Sequence, residues 1–186
     1  MNVYDFDHTI YDGDSTLDFW KFCIRKYPKC FLSFPKACCY ALLFRAKICS
    51  REKFKAVFYS FLGQIPDVQH EVTLFWNANM DKIKSFYLRQ QRPDDVIISA
   101  SPDFLISEIC NRMKICCIAS EVDPRSGTLL GPNCRGEEKV RRFYQQFPNT
   151  RIHRFYSDSE SDRFLAQQAE TAFLVKKDTV GAWTIT

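Results

Sequence analysis

No window of about 18 uncharged apolar residues occurs in this sequence, so no conventional membrane-spanning helix is expected. The opening Asn2-Val3-Tyr4-Asp5 has no basic stretch and no apolar core behind it, so no signal peptide is expected either. The 9 cysteines contain no CxxC pair. Cys38-Cys39 and Cys116-Cys117 are adjacent doublets, which suit neither a disulfide framework nor a zinc site. An odd count, mostly inside apolar runs, reads as reduced thiols used as small hydrophobes, and the expected setting is cytoplasmic. His8, His70 and His153 lack metal-ligand spacing and are read as non-catalytic. Internal repeats and low-complexity tracts are absent. The net charge of +4 is mild. It suits anionic partners such as phosphate esters or acidic lipid, and no nucleic-acid partner is assigned.

What is present is the pattern of an α/β chain. At 186 residues it can hold one such domain with an insert, or two small units around a cleft. Val3, Tyr4 and Phe6 suit a short buried strand. Asp14 or Ser15 can cap a helix carrying Leu17, Trp20, Ile24 and Tyr27. Ser50 starts another, with Phe54, Val57, Phe58 and Phe61, and a third runs from Pro66 through Trp76, Met80 and Ile83. Residues 14–88 are therefore read as helical. After them, strands are expected at Val96–Ile98, Ile115–Ala119, Ile152–Tyr156 and Thr171–Val175, with a weak one near Trp183 to Ile185. Helices are expected from Pro102, where Ser101 is the nearest cap, from Gly136, and over Phe164–Ala169. Residues 121–130 carry a hairpin signal around Asp123 to Gly127. Strands alternating with helices in this way mark a parallel sheet with right-handed crossovers.

Asp5 and Asp7 stand where the first strand runs out, two apart, so that in extended backbone their side chains share one face. Two converging carboxylates repel, which implies a shared cation or a shared proton. Hard oxygen donors with no His or Cys cluster beside them point to Mg²⁺. Ser99 and Asp158 also fall just past strand ends, the edge at which open α/β sheets bind ligands.

Taken in order, Asp5-x-Asp7-x-Thr9, a strand ending in Ser99, Lys139 at a helix start, and Ser157-Asp158 followed by Asp162 resemble the four motifs of the haloacid dehalogenase (HAD) superfamily. The helical insert after the first motif resembles the cap of the phosphoserine phosphatase-like subgroup. Ser99-Ala100-Ser101-Pro102, Gly136-Glu137-Glu138-Lys139-Val140 and Tyr156-Ser157-Asp158-Ser159 are similar to bacterial phosphatidylglycerophosphatase C and its relatives. The resemblance implies a Rossmann-like parallel sheet flanked by helices, with residues 1–13 and 89–186 as catalytic core and 14–88 as an all-helical cap. It implies a Mg²⁺-dependent phosphomonoester hydrolase working through an aspartyl-phosphate. Asp5 would be the nucleophile and Asp7 the acid and base. Ser99, with Ser101 as the alternative, and Lys139 would hold phosphate, and Thr9 would lock the loop. Asp5, the carbonyl of Asp7, and Asp158 would hold the metal. Asp162, favoured over Glu160 by spacing, would support them.

The substrate is less legible. Phosphoserine phosphatases read an amino-acid head group with an acid and an arginine, which Asp12 or Asp14 with Arg45 or Arg51 could imitate. Residues 30–48 are instead apolar nearly all round, with basic neighbours and no acid before Glu52. Such a stretch suits peripheral contact with an anionic membrane, at the inner face, or cap helices packed on one another. A glycerophospholipid phosphate is the leading substrate. The alternatives are a soluble metabolite such as phosphoserine, or a non-catalytic phosphate- or membrane-binding module.

Overall fold

The computed structural model describes residues 1–184. The sheet is built outward from β1 (Asn2–Tyr4), whose residues are all buried. A strand covered on both faces can be apolar at every position. β1 pairs in parallel with β2 (Val96–Pro102) and with β4 (Ile152–Ser157). β3 (Cys116–Ser120) and β5 (Ala169–Lys176) extend the parallel set, and β6 (Thr179–Ala182) closes the order β3-β2-β1-β4-β5-β6. Period-two alternation divides the core between the sheet faces. Tyr4 and Ile97 join Phe6, Phe19, Trp76 and Ile109 in one buried cluster. Val3, Val96 and Ile98 join Phe143, Phe155 and Leu165 in the other.

The final strand departs from expectation. β6 runs antiparallel to β5, so the sheet is mixed, and it lies at Thr179–Ala182 instead of beginning near Trp183. Lys177, left-handed at φ 52°, turns the chain back within two residues. A parallel return would need a crossover of about a dozen residues. Trp183 still donates its amide to Ala172 at 2.8 Å, while Ile185 lies outside the described residues.

All regular structure between β1 and β2 is helical: α1 (Ser15–Lys26), α2 (Phe34–Arg45), α3 (Arg51–Tyr59), α4 (Val68–Asn79) and α5 (Ser85–Gln90), with short 3₁₀ turns between. Asp14, Ser50 and Asp67 cap three of them by accepting from the Leu17, Lys53 and His70 amides. α4 stops short of Ile83, which is extended and bridges Tyr11, while Asp12 donates to Lys82 and Lys84 to Ile10. Backbone groups that would have continued the helix are used to hold the loop after β1. Trp76 on α4 donates from Nε1 to the Leu105 carbonyl at 2.8 Å, tying the helices to α6 (Asp103–Met113). α2 behaves differently, since only Ala37 of its residues is buried. Phe31, Leu32, Leu42 and Ile48 are 50–75% exposed around it. α7 (Glu137–Gln146) and α8 (Arg163–Ala166) complete the crossovers. The hairpin signal reduces to a single bridge between Val122 and Leu129.

Candidate active site

Asp5 extends the β1–β4 ladder by one bond, its amide donating to Tyr156 at 2.8 Å. The chain then turns sharply. The amides of Thr9, Ile10 and Tyr11 all point at the Phe6 carbonyl, and His8 is left-handed at φ 58°. This turn sends the Phe6 ring into the core against Trp76 and aims Asp5 and Asp7 into one cavity of about 470 Å³. The cavity lies at the carboxyl edge of the sheet, where Asp158 lines it past β4 and Ser99 and Ser101 line it from inside β2. β2 runs on to Pro102 across a register shift instead of ending before Ser99 as expected.

Lys139, on the first turn of α7, is 1% exposed. Its ammonium donates to Asp5 Oδ1 at 2.6 Å and to Asp162 Oδ2 at 2.7 Å. Ser157 donates its hydroxyl to the same Asp162 oxygen at 2.9 Å. Thr9 Oγ1 donates to Asp5 Oδ2 at 3.3 Å and accepts the Asp158 amide at 2.9 Å, so one hydroxyl joins the loops after β1 and β4. Asp7 accepts the Ser15 amide at 2.7 Å and the Ser101 hydroxyl. Thr16 donates in turn to Ser101 Oγ at 3.0 Å. Ser101 therefore does not cap α6, whose start has no side-chain cap. Ser99 is buried, and its Oγ accepts the Ser101 amide at 3.1 Å.

Burial pushes the Asp5 carboxyl up to about 7, with Asp162 and Asp158 adding to the effect and Lys139 opposing it. Asp7 is raised by burial and by Asp14. Asp158 is raised by burial and by Asp162, and has no ion-pair partner among the described residues. Burial pulls Lys139 down, but Asp162 and Asp5 overcome it and hold the ammonium above its ordinary value. Asp5, Asp158 and Asp162 thus share one buried lysine. A hard divalent cation would relieve that imbalance, and Asp5 and Asp158 are the right donors for it. Among the described residues no three His, Cys, Asp or Glu side chains cluster as a metal site; the expected set has two carboxylates that face the cavity and a main-chain carbonyl.

The structure thus brings Asp5, Asp7, Thr9, Ser99, Lys139, Asp158 and Asp162 to one place. Glu160 and Asp12 are exposed, and Arg45 is exposed away from the cavity, whereas Asp14 and Arg51 line it. Sequence reasoning missed Lys55, whose Nζ donates to Ala100 O and Asn133 Oδ1, both at 2.6 Å. It also missed Arg135, which lines the same cavity. A signal existed for Lys55. It follows Arg51 by one turn, on the helix face that also carries Phe58 and Tyr59, where cations are out of place.

Comparison with known proteins follows this geometry. A protein of unknown function from Bordetella pertussis Tohama I superposes with a TM-score of 0.71 at 17% identity, covering 90% of this chain and 85% of that one. A phosphoserine phosphohydrolase-like protein from Francisella tularensis superposes at 0.54 and 12% identity, covering 92% and 86%. A probable phosphoserine phosphatase from Vibrio cholerae does so at 0.63 and 9%, covering 92% of this chain and 55% of that chain. At such identities the likeness is one of fold. No curated protein matches the sequence. The family model for haloacid dehalogenase-like hydrolases matches residues 3–167. That single run takes in the turn after β1, Ser99, Lys139 and the Asp158 loop, and the chain belongs to the haloacid dehalogenase-like hydrolases.

Proposed function

We propose that this chain is a Mg²⁺-dependent phosphomonoester hydrolase that forms an aspartyl-phosphate on Asp5. The observation that carries the reading is a buried carboxylate at a strand end, flanked by Lys139 and Thr9, with a second carboxylate turned into the same cavity. Asp5 attacks phosphorus in line, and the ester oxygen departs with its electron pair. Asp7, raised by burial and by Asp14 and turned into the same cavity, protonates that oxygen. It then takes a proton from the water that cleaves the acyl phosphate and restores Asp5. Ser101 and the Ser15 amide orient Asp7 for both transfers. Lys139 and Ser99 bind phosphate oxygens, with Ser101 also in reach of the cavity, and Asp162 positions Lys139. When bound by Asp5, Asp158 and the carbonyl of Asp7, Mg²⁺ would draw charge from the phosphate oxygens.

We read residues 14–88 as a helical cap over a core of 1–13 and 89–186, because α2 and α3 supply the far wall of the cavity. Phe34, Ala37, Phe54 and Phe58 make that wall apolar. It favours a phosphomonoester with a hydrocarbon body, such as a glycerophospholipid phosphate of the kind phosphatidylglycerophosphatase C relatives would take, drawn from an anionic bilayer that α2 contacts. A soluble phosphoserine-like metabolite is the second reading, on the observation that Asp14 and Arg51 line the same cavity. A turnover screen of lipid and soluble phosphomonoesters, with Mg²⁺ and with chelator, decides between them. Metal-dependent release of phosphate from the lipid is expected. Preference for phosphoserine moves the second reading first, and no turnover of any ester overturns both.

A further inference from the structure

Lys84, between α4 and α5, carries a charge that the proposed chemistry does not use. The residue is 7% exposed and lies outside the cavity lining. Among the described residues its ammonium makes no ion pair. It donates instead to two main-chain carbonyls, that of His8 at 2.6 Å and that of Lys177 at 2.7 Å. The first belongs to the loop after β1 and the second to the turn between β5 and β6. Burying an ammonium costs free energy that an apolar side chain in the same place would not, and charge-assisted bonds offset that cost. What Lys84 contributes is therefore to be sought in the groups it holds.

Foremost among them is the backbone at His8. The His8 amide donates to the Gly13 carbonyl at 2.9 Å, and the His8 carbonyl accepts from Lys84. The peptides on both sides of His8 are thus fixed, and between them the residue is left-handed at φ 58°. That region disfavours any residue with a Cβ, which crowds the following carbonyl oxygen, and His8 is not a glycine. A trans peptide aims its N–H and C=O in opposite directions, so the bond to Gly13 also turns the Asp7 carbonyl away from Gly13. The Lys84 amide donates to Ile10 at 2.8 Å, so one residue grips the loop through both its side chain and its main chain. Asp7 and Thr9 stand on either side of the residue held in this way.

We propose that Lys84 is the positioning residue of the catalytic loop, keeping His8 left-handed and so setting Asp7 and Thr9 against Asp5. It acts through the His8 carbonyl and not on the substrate. The inference rests on the phosphatase reading for what the loop does, whereas how the loop is held is measured without it.

The test is a double-mutant cycle on the full chain, with Lys84→Met and His8→Gly made singly and together. Each chain is read by amide hydrogen exchange and by turnover of phenyl phosphate. Lys84→Met should speed exchange across residues 8–13 about tenfold, the scale of the left-handed penalty, and leave the amides of β2 and β4 unchanged. It should also lower kcat about tenfold or more with KM nearly constant, because a misplaced catalytic group is felt in the transition state. With His8→Gly, which removes that penalty, both effects of Lys84→Met should shrink to less than about threefold. Lys84→Gln, which keeps donor hydrogens without the charge, should fall between, and it carries the test if Lys84→Met does not fold. Loop exchange that ignores Lys84, that rises equally with His8→Gly, or that rises across β2 and β4 as well overturns the positioning role. So does an active chain whose kcat is indifferent to Lys84, or failure of both Lys84 variants to fold. Loop exchange that responds as expected in a chain that hydrolyses no ester removes the phosphatase reading alone.

Discussion

Asp5 is buried and keeps both carboxylate oxygens engaged, one by Lys139 and one by Thr9. Asp5→Asn preserves shape but cannot form an acyl phosphate. It should fold normally and lose about a thousandfold or more in kcat. Residual turnover near the unaltered level, in a preparation free of contaminating phosphatase, removes Asp5 as nucleophile. A second carboxylate tests burial on its own. Asp95 is fully buried below β2, accepts the Arg92 amide at 2.8 Å through Oδ2, and leaves Oδ1 without a partner. Burial, with Asp94 adding to it, raises Asp95 from 3.8 to about 6. A folded value above the unfolded one means the protonated form is favoured by folding. That contribution is complete below about pH 4 and is lost as pH rises through about 6. Asp95→Asn should therefore stabilise the chain at pH 8 by roughly 3 kcal/mol, with the difference vanishing near pH 4. Urea unfolding at the two pH values measures this, and equal gains at both contradict the assignment. Asp5, Asp7 and Asp158, which line the cavity, were legible because each follows a strand end. Asp95 was not, since nothing in local pattern shows that its loop is roofed by packed residues.

Among the elements, α2 is exceptional in leaving its apolar residues outside. Leu32, Leu42 and Ile48 face solvent beside the exposed Lys36, Arg45 and Lys47, while Leu43 and Phe44 are half-buried, Phe44 against Phe54. Each basic residue near an anionic bilayer adds about 1 kcal/mol of attraction. The chain is expected to sediment with anionic liposomes, less so at high salt, and Leu32→Glu with Leu42→Glu should release it. Indifference of the unaltered chain to such vesicles at low salt ends the membrane reading. α4 is the opposite case. Trp76 is wholly buried, in edge contact with Phe6 and Tyr11, and donates to Leu105. Trp76→Ala should lower unfolding free energy by about 3–5 kcal/mol in a denaturant titration. A loss under 1 kcal/mol would mean that α4 is not bound to the sheet as described. Both helices are apolar in sequence, and hydrophobicity alone does not say which one finds a partner.

For the molecule as a whole, a metal ion held among the acids around Lys139 would couple its binding to stability. Mg²⁺ at about a hundred times its dissociation constant should stabilise the folded chain by about 2.7 kcal/mol. Calorimetric melting with Mg²⁺ and with chelator reads this, and Asp158→Asn should remove the difference; a shift that survives that change places the ion elsewhere. The sequence by itself determined the succession of strands and helices up to the last strand, a cap at Asp14 or Ser15, the cap at Ser50, and the acids at the strand ends. Those features depend on side-chain period and on turns that a few neighbouring residues specify. Tertiary structure alone decided that Ser101 serves Asp7 and not its own helix, that β6 runs antiparallel, and that α2 stays bare. It alone brought Lys55 to Asn133, 78 residues away, and Thr16 to Ser101, 85 away. Contacts across such distances leave no periodic trace in the chain, because they depend on where whole elements come to rest and not on what either residue's neighbours are.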